Sequence, residues 1–257
     1  MNETLLQLFS EWHLAGYVYT VFLVFVRVGA TVATLPGFGE QFVSPRVKLI
    51  LSLGLAVALQ PIITTPLGDV PIFSDMLLQI GSEFFTGAMF GIWVRLIYQA
   101  LSITAGFCAQ VLGITNIFDA SLEPGGAPAL SGFLSFTALA VLSATGGHYF
   151  IFQAFAKTYN LVPFNTALDL GDASFSVIEA GLLAISLGLR MALPFLVIGF
   201  LINIGLGFVN RAMPQIPVFF VGQPLMIGVG FALLSLLMGT MMLNWSEEMR
   251  VFLIDRL

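Results

Sequence analysis

The side chains of this sequence that could do chemistry are few, and they stand in apolar surroundings. Arg27 lies in the middle of an apolar run from about Leu14 to Leu35, and Glu83, Arg95 and Arg190 interrupt later runs. Snorkelling to a membrane surface suits an arginine near a helix end, whereas Arg27 is about two turns or more from either one. A charge at that depth in lipid is functional or paired across helices, and pairing is the reading adopted for Arg27. Glu83 and Arg95 are twelve residues apart, so on one helix they are separated by ~18 Å and lie on different faces. They cannot neutralise each other, and each needs a partner on another element. Gln79 with Glu83, and Arg95 with Gln99, are i, i+4 pairs that make two separate polar patches. A carboxylate inside a span is also the chemistry of a proton relay. No second acid, His or Lys stands near Glu83 in the sequence, which favours structural pairing.

A second polar constellation breaks the run at 203–230. Asn203, Gly207 and Arg211 fall at i, i+4 and i+8 and share one helix face. Pro214 removes a backbone donor and clashes with the preceding turn, so the helix is expected to stop near Arg211. That places Arg211 in the last turn, against the negative end of the helix dipole. Pro217 keeps the connection extended, and Pro224 suits the first turn of a closing helix running to about Trp245. Pro214, Gln215, Pro217, Gly222 and Pro224 thus mark the tip of a helical hairpin whose arms are antiparallel neighbours.

The elements that must position these residues follow from composition. The 257 residues are 58% hydrophobic and 9% charged, with mean hydropathy +0.98. Soluble domains carry about 25% charged residues, so lipid or partner subunits must cover much of this surface. The expected fold class is all-α: a polytopic membrane protein built of long, kinked helical hairpins. A second span is expected over about 47–64, and a further one over about 130–156. From Met76 to about Gly113 the apolar character lasts too long for one straight crossing of ~20 residues. It reads as a tilted helix emerging from the membrane or as a hairpin broken near Gly106. Residues 36–48 and 157–175 read as loops. The run at about 176–209 holds Pro194, which predicts a kink one turn after Arg190. Gly87 and Gly91 form a GxxxG contact face.

Residues 106–129 read as an apolar loop ending in EPGGAP. A loop carrying Phe107, Val111, Leu112, Ile114, Ile117 and Phe118 must pack into a cavity in protein, because lipid leaves its backbone groups unpaired. A narrow ring of such residues can also exclude water from a constriction. Gly106 and Gly113 would then supply flexible backbone.

Other chemistry finds no support. There is no P-loop, HExxH or GxSxG pattern and no paired Cys or His. Cys108, the only cysteine, reads as a small packing residue, and His13 and His148 as interfacial side chains. No catalytic residue, cofactor or metal site is expected, and no basic cluster suggests nucleic acid. Residues 1–13 lack a basic n-region and a small-residue cleavage site, so no cleavable signal peptide is expected. With six alternating spans, Arg46, Lys48 and Arg211 fall on one side and Lys157, Arg250 and Arg256 on the other. The positive-inside bias is absent, as suits a subunit positioned by assembly.

Asn203, Gly207, Arg211, Pro214–Gln215, Val218–Phe219, Gly222 and Pro224, with Arg27, PGF at 36–38, PRVK at 45–48, Glu83, Gly87, Gly91 and Gly147–His148, together resemble the FliR family. This is the R component of the flagellar type III export gate, called the T component in virulence injectisomes. The resemblance implies a single integral-membrane domain over 1–257, with residues 1–175 similar to the P subunit and 176–257 to the small Q subunit. It implies P and Q subunits as partners, A- and B-type membrane partners, unfolded protein substrates in transit, and a place in the bacterial inner membrane at the flagellar basal body. In the family the loop corresponding to 106–129 plugs the pore, and Gly106, Gln110 and Gly113 resemble that segment. Arg27, Glu83, Arg95, Arg190, Asn203 and Arg211 are then candidates for contacts between helices or subunits. One alternative is a stand-alone small-molecule or ion carrier or channel using Arg27 and Glu83 as substrate or proton sites, without an inverted repeat to support it; the other is the equivalent virulence injectisome subunit.

Overall fold

The computed structural model describes residues 14–37, 39, 43–63, 71–112, 129–164, 166, 170–215 and 218–255. Seven helices occupy them: α1 Leu14–Thr34, α2 Pro45–Ile63, α3 Phe73–Val111, α4 Ala129–Ala144, α5 Gly147–Leu161, α6 Leu170–Ala212 and α7 Val218–Asp255. The protein is an all-α, polytopic membrane protein. Among the described residues, four helices (α1, α3, α6 and α7) are long and apolar enough to cross a membrane, or five spans if α4 and α5 count as one bent pair. At 1.5 Å per residue, α6 with its 43 residues is about 65 Å long, roughly twice a bilayer core of ~30 Å.

Several expected boundaries move. α3 is one unbroken helix of 39 residues, so the alternative of a hairpin broken near Gly106 does not hold. Residues 106–111 are helical and not loop. The span expected over 130–156 is broken instead at Thr145–Gly146, where Gly146 takes φ 74°, a left-handed value that glycine adopts without a Cβ penalty and that ends helices. Pro45 opens α2, placing 45–48 in its first turn, because a proline at the first helical position loses no hydrogen bond. The presumed loop 157–175 is helical at both ends, since α5 reaches Leu161 and α6 starts at Leu170. α7 begins at Val218 and runs through Pro224 to Asp255. Pro224 is therefore its seventh residue, and the charged tail continues the helix past Trp245. α6 likewise continues through Pro194.

The chain forms two compact units, one from Met1–Arg95 and Ile151–Glu179, the other from Leu96–Phe150 and Ala180–Arg256. In the first, α1 and the N-terminal half of α3 run parallel: Tyr19 donates to Gln79 (2.6 Å) and Thr31 to the Gly87 carbonyl (2.9 Å). A Cβ on Gly87 would overlap the Arg27 backbone, and one on Gly91 the Thr34 hydroxyl. The two small residues set the helix separation, as a GxxxG face does. Rings of Trp93, Phe90, Phe155, Tyr159 and Phe164 meet edge to face in sequence, with centroids 5.6–6.4 Å apart.

In the second unit the C-terminal half of α3 lies along the α6–α7 hairpin. Thr104 donates to the Gly188 carbonyl (3.1 Å), and the fully buried Trp245 donates its indole N–H to the Ile97 carbonyl (3.1 Å). Val111 occupies the space a Cβ on Gly199 would need, and Leu112 does the same at Gly230. Tyr98 donates to the Ser135 carbonyl of α4 (2.7 Å) and meets Trp245 edge to face.

Gly87→Val is expected to destabilise the protein by about 1–3 kcal/mol through overpacking. Gly106→Ala, where a Cβ meets nothing within 4 Å, is expected to stabilise by about 0.5–1 kcal/mol through helix propensity. Thermal unfolding in mild detergent compares them; a neutral Gly87→Val would mean that α1 and α3 are not in tight contact there.

Candidate functional site

The most concentrated polar chemistry lies in the first unit, around Arg27. It is the fourteenth residue of α1, and Glu83 is the eleventh of α3. The two helices run parallel and close, so the residues meet at similar depth. Arg27 Nε donates to Glu83 Oε2 (2.6 Å) and Nη2 to Oε1 (2.8 Å), the paired fork geometry of guanidinium and carboxylate. Nη2 also donates to the Val162 carbonyl (2.9 Å) and Nη1 to the Thr158 hydroxyl (3.4 Å). The Thr158 hydroxyl in turn donates a hydrogen bond to the Phe155 carbonyl (2.7 Å). The guanidinium carbon stands 3.9 Å from the centre of the Tyr159 ring and 6.0 Å from that of Phe164, within reach of cation–π attraction.

Burial makes this arrangement consequential. Arg27 is 0% exposed and Glu83 3%. A charge taken out of water is tolerable only when paired and hydrogen-bonded. Four guanidinium hydrogen bonds, a carboxylate and an aromatic face meet that condition. Each charge is consumed by the other, so the cluster can tie α1, α3 and the 155–164 segment together. It presents no free base or anion site. The Tyr159 hydroxyl is buried without a hydrogen-bond partner among the described residues.

The remaining candidates are dispersed. Arg190 reaches Glu248 at 3.8 Å, with side chains 67% and 38% exposed; Glu248 went unnoticed in sequence because it belongs to a charged terminal stretch. Arg95 and Arg211 are exposed and make no salt bridge among the described residues. Arg211 does stand in the last turn of α6. Asn203 donates to the Gly199 carbonyl (2.8 Å). Pro214 and Gln215 form the exposed turn, Pro217 lies outside the described residues, and Gly222 is buried beneath Leu206. Of the residues expected to form an apolar loop, Phe107, Gln110 and Val111 lie in α3, and Leu112 follows it, buried. Ile114, Ile117 and Phe118 lie outside the described residues. Thr158, Tyr159 and Val162 were missed as well, since nothing in their local pattern separates them from ordinary helix-end residues.

Arg27→Met would strand the buried Glu83 charge, with an expected cost of about 3–5 kcal/mol. The double variant Arg27→Met with Glu83→Leu should recover much of that loss, because it removes both charges together. Unfolding temperature in mild detergent reads the difference; a double variant no better than the single one would show that the pair is not what burial demands there.

Comparison with known proteins adds what geometry does not. The model of the family described as bacterial export proteins, family 1, matches residues 18–251. The flagellar biosynthetic protein FliR of Caulobacter vibrioides is 32% identical over 246 residues, covering 93% of this chain and 96% of that one. The proteins of the same name from Escherichia coli and Bacillus subtilis are 28% and 26% identical, over 91% and 84% of this chain and 89% and 85% of theirs. A match spanning nearly the whole chain, on helices of membrane-crossing length, leads to one conclusion: the chain belongs to the FliR family, family 1 of the bacterial export proteins.

Proposed function

We propose that the protein is a core structural subunit of the flagellar type III protein-export gate in the bacterial inner membrane, helping to form and to plug the channel for unfolded flagellar substrates. The observation that carries this reading is the end-to-end similarity to flagellar FliR proteins. It is supported by how little of α6 and α7 is covered. In the most apolar stretch of α6, 17% is buried within the chain, and in α7 28%, against 56% in α1. α6 also exposes Arg190 and Arg211, and α3 exposes Arg95. Cations on such a surface are costly against lipid, whereas neighbouring subunits can pair them. The partners are then P and Q subunits, with A- and B-type membrane proteins beside them. Residues 1–175 would act as the P-like part and 176–257 as the Q-like hairpin. The carrier alternative loses its chemistry, because Arg27 and Glu83 occupy each other.

The plug falls to the segment after α3, where Ile114, Ile117 and Phe118 supply apolar bulk that excludes water. Val111 and Leu112, seated against Gly199 and Gly230, would anchor its base. Replacing Ile117 and Phe118 with Ser is expected to raise ion conductance while the complex still assembles. An assembled, non-leaky complex removes the plug. For the interface, Arg211→Ala is expected to reduce recovery of partner subunits on co-purification, and Pro214→Ala to matter less, since only turn rigidity is lost. Undiminished recovery for Arg211→Ala takes that residue out of the interface.

A further inference from the structure

In the second unit α7 runs back along α6: Gly199 and Gly230 both receive the end of α3, whereas Gly188 meets Ile103 and Trp245 bonds to Ile97. Arg190 and Arg211 are twenty-one residues apart on α6, which is ~32 Å at 1.5 Å per residue and close to the ~30 Å of a bilayer core. Between them α6 carries no Asp, Glu, Lys or Arg, nor does α7 before Glu247 or α3 after Arg95. This uncharged band has the depth of the hydrocarbon, and Arg190, Glu247, Glu248 and Arg250 stand at one edge of it. At that edge α6 and α7 form an open cleft of about 660 Å³, in the ~300–1,000 Å³ range of ligand-binding clefts. Met191, Pro194, Leu237 and Met241 line its end within the band, and Arg190, Asn244, Glu247 and Glu248 its outer end. Arg190 and Glu248 are 3.8 Å apart, with side chains 67% and 38% exposed. That is too far for a hydrogen bond, so both groups keep capacity for a further partner. Pro194 has no N–H to offer the Arg190 carbonyl, and that oxygen lacks its usual helical donor.

We propose that this cleft binds an amine-bearing zwitterionic phospholipid, its phosphate on Arg190, its ammonium against Glu247 and Glu248, and an acyl chain along Met191, Pro194, Leu237 and Met241. A cleft that is charged at the edge of the band and apolar within it has the polarity gradient of an amphiphile at the depth where a bilayer holds one. A guanidinium meets phosphate in a two-bonded fork. Glu247 is already met by Arg250, so the four charges balance, and no cationic excess selects an anionic lipid. An ammonium group brings three N–H donors to the carboxylates and the Arg190 carbonyl, whereas a quaternary choline nitrogen brings none. A helix of a neighbouring subunit would need an acid and a base matched on one face, while a single headgroup carries both charges. A cation is costly against hydrocarbon and not beside phosphates, so for Arg190 the lipid takes the place of a covering subunit.

The test exposes the full-length protein, in mild non-ionic detergent, to phosphatidylethanolamine with a photoactivatable group in its acyl chain. Label on the peptides around Met191 and Met241 is expected, displaced several-fold better by unlabelled phosphatidylethanolamine than by phosphatidylcholine or phosphatidylglycerol. Arg190→Gln is expected to cut this label several-fold and Arg190→Lys to keep part of it. Neither should shift the unfolding temperature, because the side chain is largely exposed. Glu247→Gln with Glu248→Gln is expected to turn the preference towards phosphatidylglycerol. No label at the cleft, or label spread over the exposed Phe200, Leu201 and Phe208 and indifferent to Arg190→Gln, is ordinary boundary lipid and overturns the proposal. Equal or better displacement by phosphatidylglycerol overturns the zwitterionic headgroup, and displacement by phosphoethanolamine alone overturns the lipid. In cells, a photo-crosslinking residue at Asn244 that captures another subunit and no phospholipid overturns it as well.

Discussion

A guanidinium and a carboxylate held together in an apolar interior set the terms for the first unit. Neither charge can stay there alone, so everything around the pair is constrained to satisfy it. α1 and α3 must run parallel and close, which Gly87 and Gly91 permit by having no side chain to keep them apart. The end of α5 must bring Thr158 to the guanidinium, and Val162 must turn a carbonyl towards it. The rings of Tyr159 and Phe164 take the remaining face. Such a cluster adds little net stability over an apolar core of equal volume. Its effect is on specificity, since a register shift of either helix leaves a buried charge unpaired.

The second unit is built on a different rule. Its contacts along α3, α6 and α7 are mainly small against large, with Gly188, Gly199 and Gly230 facing Ile103, Val111 and Leu112. Its ion pairs are exposed: Arg190 with Glu248, and Arg250 with Glu247. Much of α6 and α7 shows large apolar side chains outward, among them Leu193, Phe200, Phe208 and Leu236. A chain in which α6 and α7 bury so little of themselves is shaped to be covered from outside. That is consistent with a family of export proteins whose flagellar members carry the name FliR.

Gln110, Asn203 and Gln223 are separated by 93 and 20 residues in the chain and come from three helices, yet line one cavity. Asn203 was visible as part of a polar helix face. Gln110 stood out only by its resemblance to the pore-plugging segment, and Gln223 carried no signal of its own.

Composition established a membrane protein, because 9% charged residues cannot clothe a chain of 257 in water, and apolar runs of about 20 residues or more made its spans helical. Spacing alone placed the GxxxG face, the end of α6 near Arg211 and the hairpin that follows, since prolines and helical periodicity act locally. The buried arginine and glutamate were legible as charges in need of partners. Which partners they take was not, because pairing depends on the relative direction and depth of helices some fifty-six residues apart. Helix boundaries at Gly146, Val218 and Val111 also went beyond the local pattern. Apolar runs look alike whether a helix breaks within them or continues, and tertiary packing decides which: Gly199 and Gly230 receive the end of α3, while a left-handed glycine at 146 ends α4.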